Sequence, residues 1–124
     1  MSEVTIVIDE KEARVRFQNE ADRYARPRHD SYLKWMAEGV SILDKNLDVK
    51  TYLDESKTTI KIQLPESWVI HSAPGMKYTL CDLIHNGMMA DWYDGMGDDK
   101  AKRFRQAAEF NKAQLQSIIN SLDM

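Results

Sequence analysis

The spacing of apolar residues changes several times along this chain, and each change marks an element. Val4-Thr5-Ile6-Val7-Ile8 is β-branched at every position. Such side chains are stiff and fit a pleated surface, so the run predicts a short strand. From Asp9 onward Ala13, Phe17, Ala21 and Tyr24 recur at helical spacing. Val15 and Phe17 also alternate with Arg14 and Arg16, as a strand would. Helix is preferred, because Asp9 and Glu12 form a capping-box pattern and the first turn is acidic, which suits the helix dipole. Pro27 should end this helix, since the residue before a proline is pushed away from helical angles. Asp30 is then the expected cap of a second helix running to about Asn46. Tyr32, Met36, Val40, Leu43 and Leu47 form its stripe, with Trp35 and Ile42 at the margins.

At Val49 the period falls to two. Val49–Leu53 and Thr58–Leu64 flank Asp54-Glu55-Ser56-Lys57, which predicts a β-hairpin over 49–64 with a four-residue loop. Ile60, Ile62 and Leu64 should face the core, and Lys61 and Gln63 water. Two strands alone are marginal, so the run near Val4 is the expected third. Pro65 should close the second strand, leaving Trp68 to His71 as a linker that docks on the helices. Ser72 is the expected cap of a third helix, with Pro74 in its first turn, where the missing N–H costs no hydrogen bond. That helix reaches about Asp94, with Met76, Leu80, Leu83, Ile84, Gly87, Met88 and Trp92 on its apolar face and Met89 and Tyr93 beyond it. In the last helix Ala101, Phe104, Ala108, Asn111, Leu115, Ile118 and Leu122 alternate steps of three and four, a coiled-coil-like seam with one polar position. The two long helices fold back at Asp94-Gly95-Met96-Gly97-Asp98 into a helical hairpin over 72–122.

The expected fold is therefore α+β and mainly helical: four helices, two of them in the long C-terminal hairpin, with a small β-hairpin and a short N-terminal strand. At 124 residues the chain reads as a single domain, 1–124, with no linker long enough to divide it. Hydrophobic residues at 43% and charged residues at 30% are ordinary for a globular protein, and no run is long enough for a membrane span. Nothing at the start reads as a signal peptide, so cytoplasmic synthesis is expected. A net charge of -3 argues against a general nucleic-acid binder. One cysteine, Cys81, excludes an internal disulfide and argues against a structural zinc site.

Candidate chemistry is sparse. Cys81 and His85 stand four residues apart on the third helix, close enough for a nucleophile and its base or for two metal ligands. The plainer reading places Cys81 in the apolar face and His85 at its border. Asp91, Asp94, Asp98 and Asp99 surround two glycines and invite a cation, but they do not have the EF-hand spacing. Capping accounts for them: Gly95 or Gly97 supplies a left-handed residue and Asp98 caps the next helix. Neither metal nor cofactor is expected. Arg14, Arg16, Arg23, Arg26, Arg28 and His29 form the one positive concentration, offset by Glu10, Glu12, Glu20 and Asp22. A solvated face or salt bridges to a neighbouring subunit, through Arg23 and Arg26, fits better than sequence-specific nucleic acid. Gly87 costs roughly 1 kcal/mol in mid-helix, which close approach of another helix backbone would offset. Met89, Trp92, Met96 and Phe110 lie off the main faces or near the hairpin tip, and with Gly87 they are the expected contact residues.

Thr59-Ile60-Lys61-Ile62-Gln63-Leu64-Pro65-Glu66-Ser67-Trp68, followed by Asp82-Leu83-Ile84-His85-Asn86-Gly87-Met88-Met89-Ala90-Asp91-Trp92-Tyr93, resembles small structural proteins of tailed bacteriophages and prophages, of the head-tail connector or neck kind. The shared pattern is a strand ending in Leu-Pro, a helix closing on an aromatic pair, an acidic turn, and a last helix that contains alanine and aromatic residues, here Ala101 to Leu122. The turn here departs from it in holding two glycines, and the N-terminal region is shorter. The resemblance implies a non-enzymatic, ring-forming homo-oligomer of the virion, made in the host cytoplasm, that bridges components such as portal or tail proteins. It carries over no catalytic residue. Outside that setting, the reading is a small cytoplasmic binding or regulatory module that meets a partner through the helical-hairpin surface.

Overall fold

A 30-residue helix, Glu66–Gly95, is the axis around which the chain packs. The computed structural model describes residues 2–121, with side chains throughout except at 67–72. Its elements are β1 (Ser2–Asp9), α1 (Glu10–Glu20), α2 (His29–Asp44), β2 (Asp48–Asp54), β3 (Lys57–Leu64), α3 (Glu66–Gly95) and α4 (Lys100–Ser121). The architecture is α+β and mainly helical, with β1 joining the β-hairpin as the third strand and α3 packing on α4.

The sheet is antiparallel in the order β1-β3-β2. β3 takes the centre because its inward positions, Thr58, Ile60, Ile62 and Leu64, are all buried. Ile6 lies opposite Ile60 and Val4 opposite Ile62, which extends the apolar layer onto β1. On the other side the layer fades. Val49 is half-buried, while Thr51 and Leu53 are exposed. The hairpin turn is tighter than the four-residue loop expected, because Asp54 still pairs with Lys57 and leaves only Glu55-Ser56 between the strands. Glu55 takes φ 53°, a left-handed value that a two-residue turn demands.

Three helix boundaries differ from expectation. α1 starts as predicted, with Asp9 accepting a hydrogen bond from Lys11 N at 2.9 Å. It ends at Glu20, well before Pro27. The Asp22 carboxylate captures the N–H of Tyr24 in a local turn, and Gln18 Nε2 donates to the carbonyl of Ala25, so the chain bends to bury Ala25 and leaves Tyr24 in water. α2 begins at His29, with Arg28 at its cap and no side-chain cap bond, so Asp30 serves the helix dipole from the first turn instead.

The third difference is the largest. α3 begins at Glu66, directly after Pro65, so residues 68–71 are helical and not a linker. Two prolines compete as the start signal, and the earlier one wins because its missing N–H falls at a helix entrance. Pro74 is consequently inside the helix, where it forfeits a backbone bond. The side chains that were to dock, at Trp68, and to cap, at Ser72, lie outside the described ones.

α3 is buried on nearly every side. Met89 and Tyr93, expected beyond its apolar face, are buried together with Met76, Leu80, Leu83, Ile84 and Met88. The chain reverses at Gly97, φ 67°, and Asp98 Oδ1 accepts from Lys100 N at 2.9 Å as its capping role requires. On α4 the seam holds through Leu115, after which Ile119 is buried in place of Ile118. A straight helix drifts from a strict seven-residue repeat, and by the last turn the drift is one residue. Leu122, the expected last seam position, lies outside the described residues. Asn111, the polar position, accepts from Asn86 Nδ2 at 2.8 Å and donates to Gln114 Oε1 at 2.9 Å.

Candidate functional site

The sequence points first to Cys81 and His85, and the fold gives them structural surroundings. His85 is buried, its Nε2 against the Glu20 carboxylate at the end of α1. Burial and the nearby Arg16 guanidinium hold its pKa below the usual 6.5, with Glu20 opposing them, so the ring is neutral at pH 7. A neutral ring donating through Nε2 leaves Nδ1 as an acceptor, and Nδ1 has no partner. The Cys81 thiol therefore does not hydrogen-bond to it. Burial pushes the thiol pKa up, with Lys77 and Arg16 pulling the other way. Both line a cavity of about 140 Å³ beside β1 and α1. A half-buried thiol with a raised pKa is a poor nucleophile.

Three of the four acidic residues are spent on structure. Asp91 Oδ2 accepts from Ser31 Oγ at 2.6 Å and from Trp35 Nε1 at 3.0 Å, and Lys34 Nζ lies 3.6 Å from its other oxygen. Asp94 pairs with Arg105 at 3.3 Å, and Asp98 is a cap. Among the described residues no group of three or more His, Cys, Asp or Glu is placed to hold a metal ion. Of the positive residues, Arg14 pairs with Glu10 at 3.2 Å, Arg16 with Asp82 at 2.9 Å and Arg28 with Asp30 at 3.7 Å. Arg23 lies over the ring of Tyr24, 4.7 Å from its centroid, and among the described residues neither Arg23 nor Arg26 forms an ion pair. Within the N-terminal cluster these two are the exposed arginines without an ion pair among the described residues.

The expected contact residues separate into two groups. Gly87 does admit a neighbour, but the neighbour is a side chain of this chain and not a second helix backbone. A methyl group at Gly87 would lie 2.1 Å from Cδ2 of Trp35. One turn along α2, Gly39 receives Leu80 in the same way, so the two helices interlock antiparallel, Trp35 into Gly87 and Leu80 into Gly39. Gly39 was missed by sequence reasoning, although its position four residues after Trp35 on the α2 stripe signals it. Met89 is fully buried within the chain and has no surface to offer. The other group is accessible: Met96 at 59% and Phe110 at 64% exposure, on the turn and on the outer face of α4. Trp92 is half-buried, edge-on to Phe17 with centroids 5.6 Å apart.

Trp92 and Met96 share one wall of a groove of about 520 Å³. Pro27, Arg28, Ser31 and Lys34, from the entry and first turns of α2, make the other. A second accessible surface is the edge of the sheet. Six of the seven residues of β2 are exposed, and Tyr52 and Leu53 are 51% and 64% exposed. β3 occupies one hydrogen-bonding edge of this strand, and among the described residues no strand occupies the other. No described helix is long and apolar enough to cross a membrane. Compared with protein-family models, curated proteins and solved structures, the chain matches none.

Proposed function

We propose that this protein is a non-enzymatic structural adaptor, which works by assembling with itself and bridging other proteins. The observation that carries this reading is the bare edge of β2. An exposed, unpaired strand presents a row of N–H and C=O groups that another strand can complete, and most proteins cover or shorten such an edge. Here it is seven residues long and carries an exposed tyrosine and leucine. The pair an enzyme would need, Cys81 and His85, is not hydrogen-bonded, and the thiol is held protonated.

The setting that the residue pattern of 59–68 and 82–93 favours is the head-tail connector or neck of a tailed-phage particle, with portal or tail proteins as the other partners. Native mass spectrometry and negative-stain imaging, of the protein alone and mixed with a portal protein, test this. Discrete oligomers or a stoichiometric complex are expected. A monomer that binds no portal partner overturns the reading.

The groove favours a second reading, a binding module that meets its partner at the hairpin tip. Trp92 and Met96 are adaptable apolar contacts, and Arg28 and Lys34 supply a charged rim. Met96→Asp should then abolish partner binding with the fold intact, and unchanged affinity refutes it.

A further inference from the structure

Asp48, Lys50, Tyr52 and Asp54 stand on the outer face of β2, since they lie opposite Gln63, Lys61, Thr59 and Lys57. Thr51 lies opposite the buried Ile60 and so belongs to the inner face. Lys50 and Lys61 are thus direct cross-strand neighbours of like charge, an arrangement that destabilises a sheet. Lys61 reaches Glu3 at 3.8 Å on its far side, whereas Lys50 and Asp54 have no ion-pair partner among the described residues.

An edge strand can pair with its own copy antiparallel about a two-fold axis only if same-facing residues oppose each other. For β2 that leaves three registers pairing five or more residues, centred on Lys50, Thr51 or Tyr52. The first sets Lys50 against the Lys50 of the second copy. The second sets Asp48 against Asp54 twice. The third sets Lys50 against Asp54 twice and Tyr52 against its own copy. Charge alone selects the third.

We propose that two copies of this chain join β2 to β2 about a two-fold axis at Tyr52, each Lys50 facing the other copy's Asp54, to make a continuous six-stranded sheet. The second copy's Asp54 then neutralises the Lys50–Lys61 neighbours, and the two tyrosines form an aromatic cross-strand pair. This rests on the assembly reading above and names its partner and register. Because the interface is isologous it closes as a dimer.

The test is sedimentation equilibrium on the full chain with charge reversals at solvent-exposed positions. Lys50→Asp turns two attractive pairs into repulsive ones and leaves like charges opposed in the other two registers as well, so it is expected to weaken dimerisation on the order of tenfold. Adding Asp54→Lys to it restores both pairs and should return dimerisation to at least the wild-type value. In a Cys81→Ser background, Tyr52→Cys should form an intermolecular disulfide on mild oxidation, because directly opposed residues lie about 4.5 to 5.5 Å apart at Cα. Thr51→Cys in the same background, which changes no charge and faces the second copy's Leu53 in this register, should not. A monomer at every concentration overturns the pairing while leaving open a bridge between other proteins. An oligomer indifferent to the reversals, or one that cross-links in the Thr51→Cys variant and not in the Tyr52→Cys variant, also overturns the pairing but leaves self-assembly standing through another surface or register.

Discussion

Substituting Gly87 by alanine is the sharpest probe of how α2 and α3 hold together. In an isolated helix this change stabilises by about 1 kcal/mol, because glycine loses more backbone entropy on folding. Here the new methyl would lie 2.1, 2.3 and 2.4 Å from Cδ2, Cγ and Cε2 of Trp35, far inside contact distance. The indole has nowhere to go. It is buried, its Nε1 is tied to Asp91 at 3.0 Å, and Lys34 and Lys112 lie 4.8 and 5.5 Å from its ring centroid. Overpacking of this kind costs about 1 to 3 kcal/mol and more when the neighbour is rigid, so the net loss should be about 2 kcal/mol.

The other glycines calibrate that number. At Gly39 the clash is with Cδ2 of Leu80 at 2.5 Å, the far end of a side chain that can rotate, so Gly39→Ala should cost less than Gly87→Ala. At Gly95 a methyl meets nothing within 4 Å, and Gly95→Ala should stabilise by up to about 1 kcal/mol. Urea unfolding followed by far-UV circular dichroism gives the three values. The expected order of stability is Gly95→Ala above wild type, then Gly39→Ala, then Gly87→Ala, and Trp35→Leu should remove most of the Gly87→Ala penalty. Gly87→Ala at or above wild-type stability would refute the interlock and reopen Gly87 as a contact for another subunit.

Three further outcomes follow from the polar contacts. His85 has a pKa lowered below 6.5, so the unfolded chain takes up its proton first as the pH falls, and this contribution to stability is complete above pH 6.5 and lost progressively below it. The slope of unfolding free energy between pH 7 and 5 should flatten in His85→Gln, and an unchanged slope contradicts the assignment. Asp91→Ala strands the indole N–H of Trp35 and should cost about 1 to 3 kcal/mol, with Asp91→Asn costing less because it keeps an acceptor; equal losses for the two would mean that the hydrogen bonds to Asp91 are not what matters there. Cys81 should react with iodoacetamide much more slowly in the folded protein than in urea, and rapid modification of the folded chain would revive the nucleophile reading.

Much of the fold was legible because its signals are local. The β-branched run of Val4–Ile8, the alternation of Thr58–Leu64 and the seam of α4 each report one element facing one layer. Boundaries set by competition between signals were not. Pro65 and Pro74 are both acceptable helix openers, and Asp22 ends α1 through a bond to Tyr24 that no spacing announces. α3 was harder still, since a helix buried on nearly every side shows little of a polar face, so Met89 and Tyr93 fell beyond the apolar stripe and Met89 read as a contact for a partner. The contact between Trp35 and Gly87, on different helices, needs the fold itself. Of the expected contact residues, those that remain accessible, Met96, Phe110, Arg23 and Arg26, are the ones the seam patterns and local charge had already placed on the outside.

The charges of β2 can be read two ways, and the two readings converge. Charged side chains on an edge strand are a common defence against indiscriminate pairing. Lys50 acts so in the register centred on itself, and Asp48 and Asp54 act so in the register centred on Thr51. The same three residues leave one register unopposed, so the defence is selective. An edge meant to stay unpaired would gain by placing one sign throughout, which repels in every register. Alternating signs instead admit a single partner geometry, as charges that set register do elsewhere. A closed two-fold dimer uses only the β2 edge and leaves Phe110 and the Trp92–Met96 groove uncommitted. If the protein forms rings, the contacts that link dimers belong on those surfaces, since an isologous interface cannot propagate by itself.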